Sequence, residues 1–248
     1  MKRIYPSDDR FDIEKRIGTR IDKYDFNVKE EWEHLEASFI KTKQGEEVLY
    51  INGLEVMAGF EEPYMKKLAQ IACSKGGNVL NVGYGLGLAD QFIEDFRSEY
   101  PVEEHHIIEL NNDVIRRAEK WLSASPNKDK IVLHRGCWED ILGGLQTKFD
   151  GVLYDGFPLE SDELCRDAIP FIEKLIDYKL LKENGVLTFF FDSSDGFGND
   201  FIQFLQDLGI QNIRYEKVRV TPPTDRAPQH WSEDYFLAPI LTGVLYSE

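Results

Sequence analysis

The chain has 248 residues, 42% hydrophobic and 30% charged, with 29 basic and 45 acidic side chains and a formal net charge of −16. This composition suits one sizeable hydrophobic core and excludes a disordered chain. The acidic balance excludes the basic footprint of a nucleic-acid binder and docking on anionic membranes, and it is compatible with a cationic small substrate.

Cys73, Cys137 and Cys165 are scattered, with no C-x-x-C pair. Reduced thiols in a cytoplasmic protein are therefore expected, rather than a disulfide framework or a zinc ribbon. The N-terminus lacks the apolar run of a signal peptide, and no stretch reaches the roughly 18 apolar residues of a transmembrane helix.

In chain order, residues 1–25 are dense in charge and read as an arm or short irregular helix. Asn27 and Glu30 have capping-box spacing, and Val28, Trp32, Leu35 and Phe39 share one helical face, so a helix is predicted over 27–40. Val48 to Ile51 reads as a short strand. Tyr64, Met65, Leu68 and Ile71 predict a helix from Pro63 to Ala72, ended by Gly76-Gly77. Strands then alternate with helices: strands near 79–82, 106–110, 130–134, 149–154 and 185–191, and helices near 88–100, 112–122, 162–180 and 199–208. That alternation predicts an α/β fold with a parallel sheet covered on both faces. Ile213 to Val220 and Tyr235 to Leu245 read as a C-terminal hairpin on the sheet edge.

Gly83-Tyr84-Gly85-Leu86-Gly87 lies between the first of these strands and its helix, and Glu109 ends the next strand. Glycines allow a sharp turn and close approach of a ligand to the backbone, and an acid at that position can accept ribose hydroxyls. A dinucleotide usually needs G-x-G-x-x-G, and Leu88 stands where the last glycine would fall; the spacing leans towards S-adenosylmethionine without deciding it. Trp138, in Gly136-Cys137-Trp138-Glu139-Asp140, is either an adenine contact or a core residue. Asp155 closes the fourth strand, and Glu61 opens a helix. Each acid alone is equally well read as an ordinary rim residue or helix-dipole partner.

Taken together, Gly53-Leu54-Glu55-Val56-Met57, Glu61 with Pro63-Tyr64-Met65, Ser74 to Leu80, Val82 to Gly85, Ile107-Ile108-Glu109, Gly136 to Asp140, Phe149 to Asp155, Gly185 to Thr188, Asn212 to Arg214 and Pro222-Pro223 resemble the guanidinoacetate N-methyltransferase branch of the class I S-adenosylmethionine-dependent methyltransferases. The resemblance covers roughly residues 47–245. It implies a Rossmann-like fold with a mostly parallel seven-stranded sheet, helices on both faces and the C-terminal antiparallel hairpin. It implies S-adenosylmethionine as cofactor. Met57, Met65, Gly83, Tyr84, Gly85, Leu86, Gly87, Leu88 and Ala89 would surround its methionine and ribose, Glu109 with Leu110 and Asn111 would hold the ribose, and Cys137 and Trp138 would face the adenine. Glu61 and Asp155 would grip a guanidino group, with Asp155 also beside the cofactor and acting as the proton acceptor. Trp32 would close the pocket. Residues 1–46 then form an arm and helix expected to cover the active site, and 47–248 form the methyltransferase domain. The arm leaves room for a homodimer. The five histidines show no ligand spacing, so no metal is expected.

Two departures from the branch stand out. Asn81 replaces an acid in the first strand, and Phe191-Asp192-Ser193-Ser194 replaces the segment that holds the acceptor's carboxylate. Asp192 would repel that carboxylate and attract an α-amino group, so with Ser193 it points to L-arginine or a related guanidino amino acid ahead of guanidinoacetate. Protein arginine methylation is a further reading, against which no docking domain is recognisable in the 248 residues. A non-catalytic cofactor-binding protein is disfavoured by retention of both acids, and an NAD-dependent dehydrogenase by the glycine spacing.

Overall fold

The computed structural model describes residues 31–157, 168–191, 195–224 and 233–246. Three short strands come first: β1 (Ala37–Lys41), β2 (Glu47–Ile51) and β3 (Leu54–Ala58), paired antiparallel in that order. Asn52 and Gly53 both have positive φ, 49° and 79°, so β2 and β3 are joined by a two-residue turn suited to the strand twist. The main sheet contains β4 (Gly77–Val82), β5 (Val102–Glu109), β6 (Ile131–Arg135), β7 (Phe149–Tyr154), β8 (Leu181–Phe189), β9 (Ile210–Arg219) and β10 (Tyr235–Val244), in the order β6-β5-β4-β7-β8-β10-β9. The β4, β5, β6, β7 and β8 pairings are parallel, and β10 lies antiparallel between β8 and β9.

The helices are α1 (Glu62–Cys73), α2 (Leu88–Asp95), α3 (Asn112–Ala124), α4 (Trp138–Leu142), α5 (Ala168–Asp177) and α6 (Asn199–Asp207). Val79, Ile107 and Leu153 face a core shared with the first three helices and the small sheet. Their neighbours Leu80, Ile108 and Val152 face a second core shared with the last three helices. Burial on both faces explains the adjacent apolar pairs Val79-Leu80, Ile107-Ile108 and Val152-Leu153 at the centres of these strands. The expected seven-stranded Rossmann-like sheet with its C-terminal antiparallel hairpin is present. Among the described residues, no helix is long and apolar enough to cross a membrane.

Two local expectations are corrected. The helix predicted over 27–40 gives way to a 3₁₀ turn at Trp32–His34 and then to strand β1; residues 27–30 lie outside the described ones. Pairing with β2 satisfies one edge of the backbone of 37–41, and the Arg117 guanidinium lies over Phe39, 4.5 Å from its ring centroid. The helix predicted over 88–100 stops at Asp95, followed by a 3₁₀ turn at Phe96–Ser98, where Arg97 bonds both Glu94 and the Val102 carbonyl and turns the chain into β5.

Candidate active site

The chain runs outward from β4 through β5 to β6, then returns to the other side of β4 as β7. The reversal opens a crevice at the carboxyl ends of β4 and β7, the place where open α/β sheets bind ligands. Hydrogen bonds between strand ends define its rim: Gly83 N donates to Ile108 O, Gly136 N to Glu109 O, Asp155 N to Val82 O and Phe190 N to Tyr154 O, all at 2.8–2.9 Å. Gly83, Glu109, Gly136 and Asp155 therefore lie along one edge. Gly83 has φ 91°, and a Cβ there would lie 2.2 Å from the Asp155 carbonyl oxygen, so only glycine allows the two strand ends to approach.

Glu109 is 8% exposed. Its carboxylate accepts from Tyr84 N on one oxygen and from Leu110 N and Asn111 N on the other, all at 2.8 Å. Burial raises its pKa, and these backbone donors act in the opposite sense. The small sheet reaches the same loop. Met57 Sδ accepts from Leu86 N at 3.3 Å, and a Cβ on Gly85 would meet that sulfur at 2.9 Å. Arg117 holds the sheet there with a bidentate pair to Glu47, at 3.1 and 2.6 Å.

Behind the loop, Asn81 Nδ2 donates to Gly83 O and Asp90 Oδ1, both at 3.0 Å. Buried His105 lies between Asp90 and Glu94, with each ring nitrogen 3.0 Å from a carboxylate oxygen. Burial would lower the His105 pKa, but bonds to both acids raise it. Burial likewise works against ionised Glu94, yet bonds to His105 and Arg97 hold its pKa at about 2. Spacing of i,i+4 puts Asp90 and Glu94 on one face of α2, a signal legible in sequence; the histidine they meet was not. Among the described residues, Asn81 Oδ1 and Asp90 Oδ2 are buried without a partner.

This loop fits a nucleoside bearing a sulfonium better than a dinucleotide. No cationic side chain occurs from Gly83 to Ala89, and buried Asp90 puts a carboxylate in the first turn of α2, where a pyrophosphate needs positive potential. A buried acid beside glycine backbone is the acceptor that a ribose diol requires.

Glu61 is 1% exposed, and its Oε1 accepts from Ala58 N at 2.7 Å. Four residues before it, Met57 touches the glycine loop after β4. Three residues after it, the Tyr64 hydroxyl accepts from Phe191 N and donates to Leu237 O, both at 3.0 Å, beyond the end of β8. Strand β7, which ends at Tyr154 just before Asp155, runs between β4 and β8, so Glu61 is carried on a segment anchored on both sides of Asp155. Trp32 is buried, and its ring stacks on Phe157, with centroids 4.8 Å apart. Phe157 was not singled out in the sequence.

The other expected residues have these surroundings in the fold. Met65 is fully buried in the core, and the Tyr84 ring packs against Gly87 and Trp121, with burial raising its hydroxyl pKa well above the usual range. Leu86 and Ala89 are buried, Leu88 and Leu110 half-buried. Half-buried Trp138 meets Tyr154 and Phe171 edge-on, and Cys137 Sγ donates to Glu139. Asp192 and Ser193 lie outside the described residues. Among the described residues there is no group of three or more metal-ligating side chains.

The family model described as guanidinoacetate N-methyltransferase matches residues 21–225. The chain belongs to this family. S-adenosylmethionine is the cofactor, in agreement with the loop chemistry. Protein arginine N-methyltransferase 2 of Yarrowia lipolytica is 29% identical over 214 residues, covering 75% of this chain and 42% of that protein. Its namesake in Emericella nidulans is 37% identical over 149 residues, covering 58% of this chain and 32% of that protein. The chain thus spans less than half the length of these two relatives. Spermidine synthase of Thermotoga maritima superposes with a TM-score of 0.59 at 17% identity, covering 86% of this chain and 71% of that one. Precorrin-6y C5,15-methyltransferase of Geobacter metallireducens gives 0.51 at 14%, covering 82% and 94%. These two likenesses show the Rossmann-like fold alone.

Proposed function

We propose that this family member is an S-adenosylmethionine-dependent N-methyltransferase acting on the guanidino group of a small molecule, with L-arginine or a related guanidino amino acid ahead of guanidinoacetate. The observation that carries the reading is the pair of acids at the crevice: Asp155 on its rim, and Glu61 on the segment anchored to either side.

A guanidinium is planar, and its fork of N–H donors matches carboxylates bidentately. Its pKa lies above about 12, so the bound cation is a poor nucleophile until a proton is drawn off. S-adenosylmethionine, when bound, would supply the electrophilic methyl, its S–C bond breaking to leave the neutral thioether S-adenosylhomocysteine. Glu61 grips the cation and fixes its plane; Asp155 orients the reacting nitrogen and takes the N–H proton as the new N–C bond forms. Glu109 holds the ribose. Segment 31–37, with Trp32 on Phe157, covers the acceptor and excludes water. Asp192, next in the chain after Phe191, supplies the charge that prefers an α-amino group over a lone carboxylate.

A second reading, methylation of arginine within a protein, is favoured by the names of the curated relatives. The Trp32–Phe157 cover argues for a small acceptor. The test is mass spectrometry of L-arginine, guanidinoacetate and an arginine-containing peptide, each incubated with the protein and S-adenosylmethionine. A 14-Da gain on L-arginine is expected at the highest kcat/KM. Methylation of the peptide alone supports the second reading, and no methylation of any guanidine overturns both.

A further inference from the structure

Asn111 is fully buried between the cofactor acid and the acceptor cover. Its backbone N–H donates to Glu109 Oε1 at 2.8 Å. Its side-chain oxygen accepts from Asp113 N and Val114 N, at 3.0 and 3.2 Å, and caps α3. Its amide nitrogen donates to Trp32 O and Leu35 O, both at 2.8 Å. An asparagine side chain has two donors and two acceptor positions, and here all four are used. The amide therefore has no capacity left for a ligand, so the part expected of Asn111 in holding the ribose falls to its backbone alone, which Asn111→Asp retains.

The neighbours of Asn111 continue the attachment. Asp113 Oδ2 accepts from Ala37 N at 2.9 Å, and Asn112 Nδ2 lies 3.1 Å from His34 Nδ1. The first turn of α3 thus holds residues 32–37, and that segment lays Trp32 on Phe157, two residues beyond Asp155. We infer that Asn111 is a positioning residue that clips the Trp32 segment over the acceptor site and ties it to the carboxylate that holds the cofactor's ribose. Acceptor affinity then depends on an amide that touches neither substrate. This inference rests on the reading of segment 31–37 as the acceptor's cover.

Asn111→Asp isolates the role. A carboxylate still caps α3, and the backbone donor to Glu109 is retained. Both bonds to Trp32 O and Leu35 O are lost, and an anion instead faces two carbonyls. The acceptor KM for L-arginine, with guanidinoacetate in parallel, should rise at least tenfold at saturating S-adenosylmethionine. Affinity for S-adenosylhomocysteine should stay within about threefold, and amide hydrogen exchange at 32–41 should accelerate. Should this variant fail to fold, Asp113→Ala removes the more exposed Ala37 contact and should move KM and exchange in the same direction by less. An unchanged acceptor KM, or unchanged exchange in 32–41, overturns the clip. Trp32→Ala separates the two levels: if it too leaves the acceptor KM unchanged, the cover reading fails; if it alone raises KM, the cover stands and the clip does not.

Discussion

Replacing Glu109 by Gln tests the proposed cofactor site most directly, because the carboxylate holds the loop and, in the function proposed above, the ribose as well. Three backbone N–H groups converge on it at 2.8 Å. A glutamine retains one oxygen, best kept on Leu110 and Asn111, and its amide nitrogen then faces Tyr84 N–H, donor against donor. Losing one charge-assisted bond in a buried place costs about 1.5–3 kcal/mol. In a chain of this length that corresponds to a fall in Tm of roughly 3–12 °C without ligand. Losing the ribose contact, of similar strength, should weaken S-adenosylhomocysteine by roughly 10- to 150-fold. Differential scanning fluorimetry reads the first effect and titration calorimetry the second. A lowered Tm with an affinity within twofold of wild type would make Glu109 a purely structural acid and move the ribose elsewhere. An unchanged Tm would refute the argument about the loop itself.

Asp155→Asn should lower kcat by about 10²-fold or more while S-adenosylhomocysteine still binds, and near-normal turnover would remove Asp155 from proton transfer. Glu61→Gln keeps an oxygen for Ala58 N, so folding should survive while the acceptor KM rises, because a neutral amide cannot pair bidentately with a cation. L-Arginine should exceed guanidinoacetate in kcat/KM, and Asp192→Leu should narrow or reverse the ratio; an indifferent ratio rules out the charge argument. His105 has a folded pKa raised above 6.5, so its contribution to stability is present below that pH and is lost as pH rises through the folded value. Tm should therefore decline as pH rises above 6.5 and through the raised folded value, and His105→Gln should flatten that slope. Glu94, with a pKa of about 2 against 4.5 unfolded, contributes above pH 4.5 and loses that contribution as pH falls towards 2. Wild-type and Glu94→Gln acid-unfolding curves should converge at the low end, and parallel curves would exclude the pairing.

Local chemistry determined much of this protein. Alternating apolar runs and amphipathic stretches specify the parallel sheet, because the middle of a strand buried on both faces is mostly apolar. Glycines before α2 and acids at strand ends mark the crevice, since only backbone freedom and an anionic acceptor suit that place. Of the small sheet, the strand at Val48–Ile51 was among the expected elements, whereas its hairpin partner across Asn52-Gly53 and strand β1 were not. Segment 37–41 was a different matter. Phe39 fits the helical spacing of Val28, Trp32 and Leu35, and only a partner strand with its own hydrogen bonds, together with Arg117 above the ring, makes the extended form win. The same holds for the groups that organise the site. Asp90 and Glu94 announce a shared helix face but not the histidine between them. Asn111 was expected beside the ribose, and its hold on Trp32, 79 residues away, exists only once the chain has folded. Periodicity reports which face of an element is buried; which polar group meets which across the interior depends on long-range pairing, and that was decided by the tertiary structure.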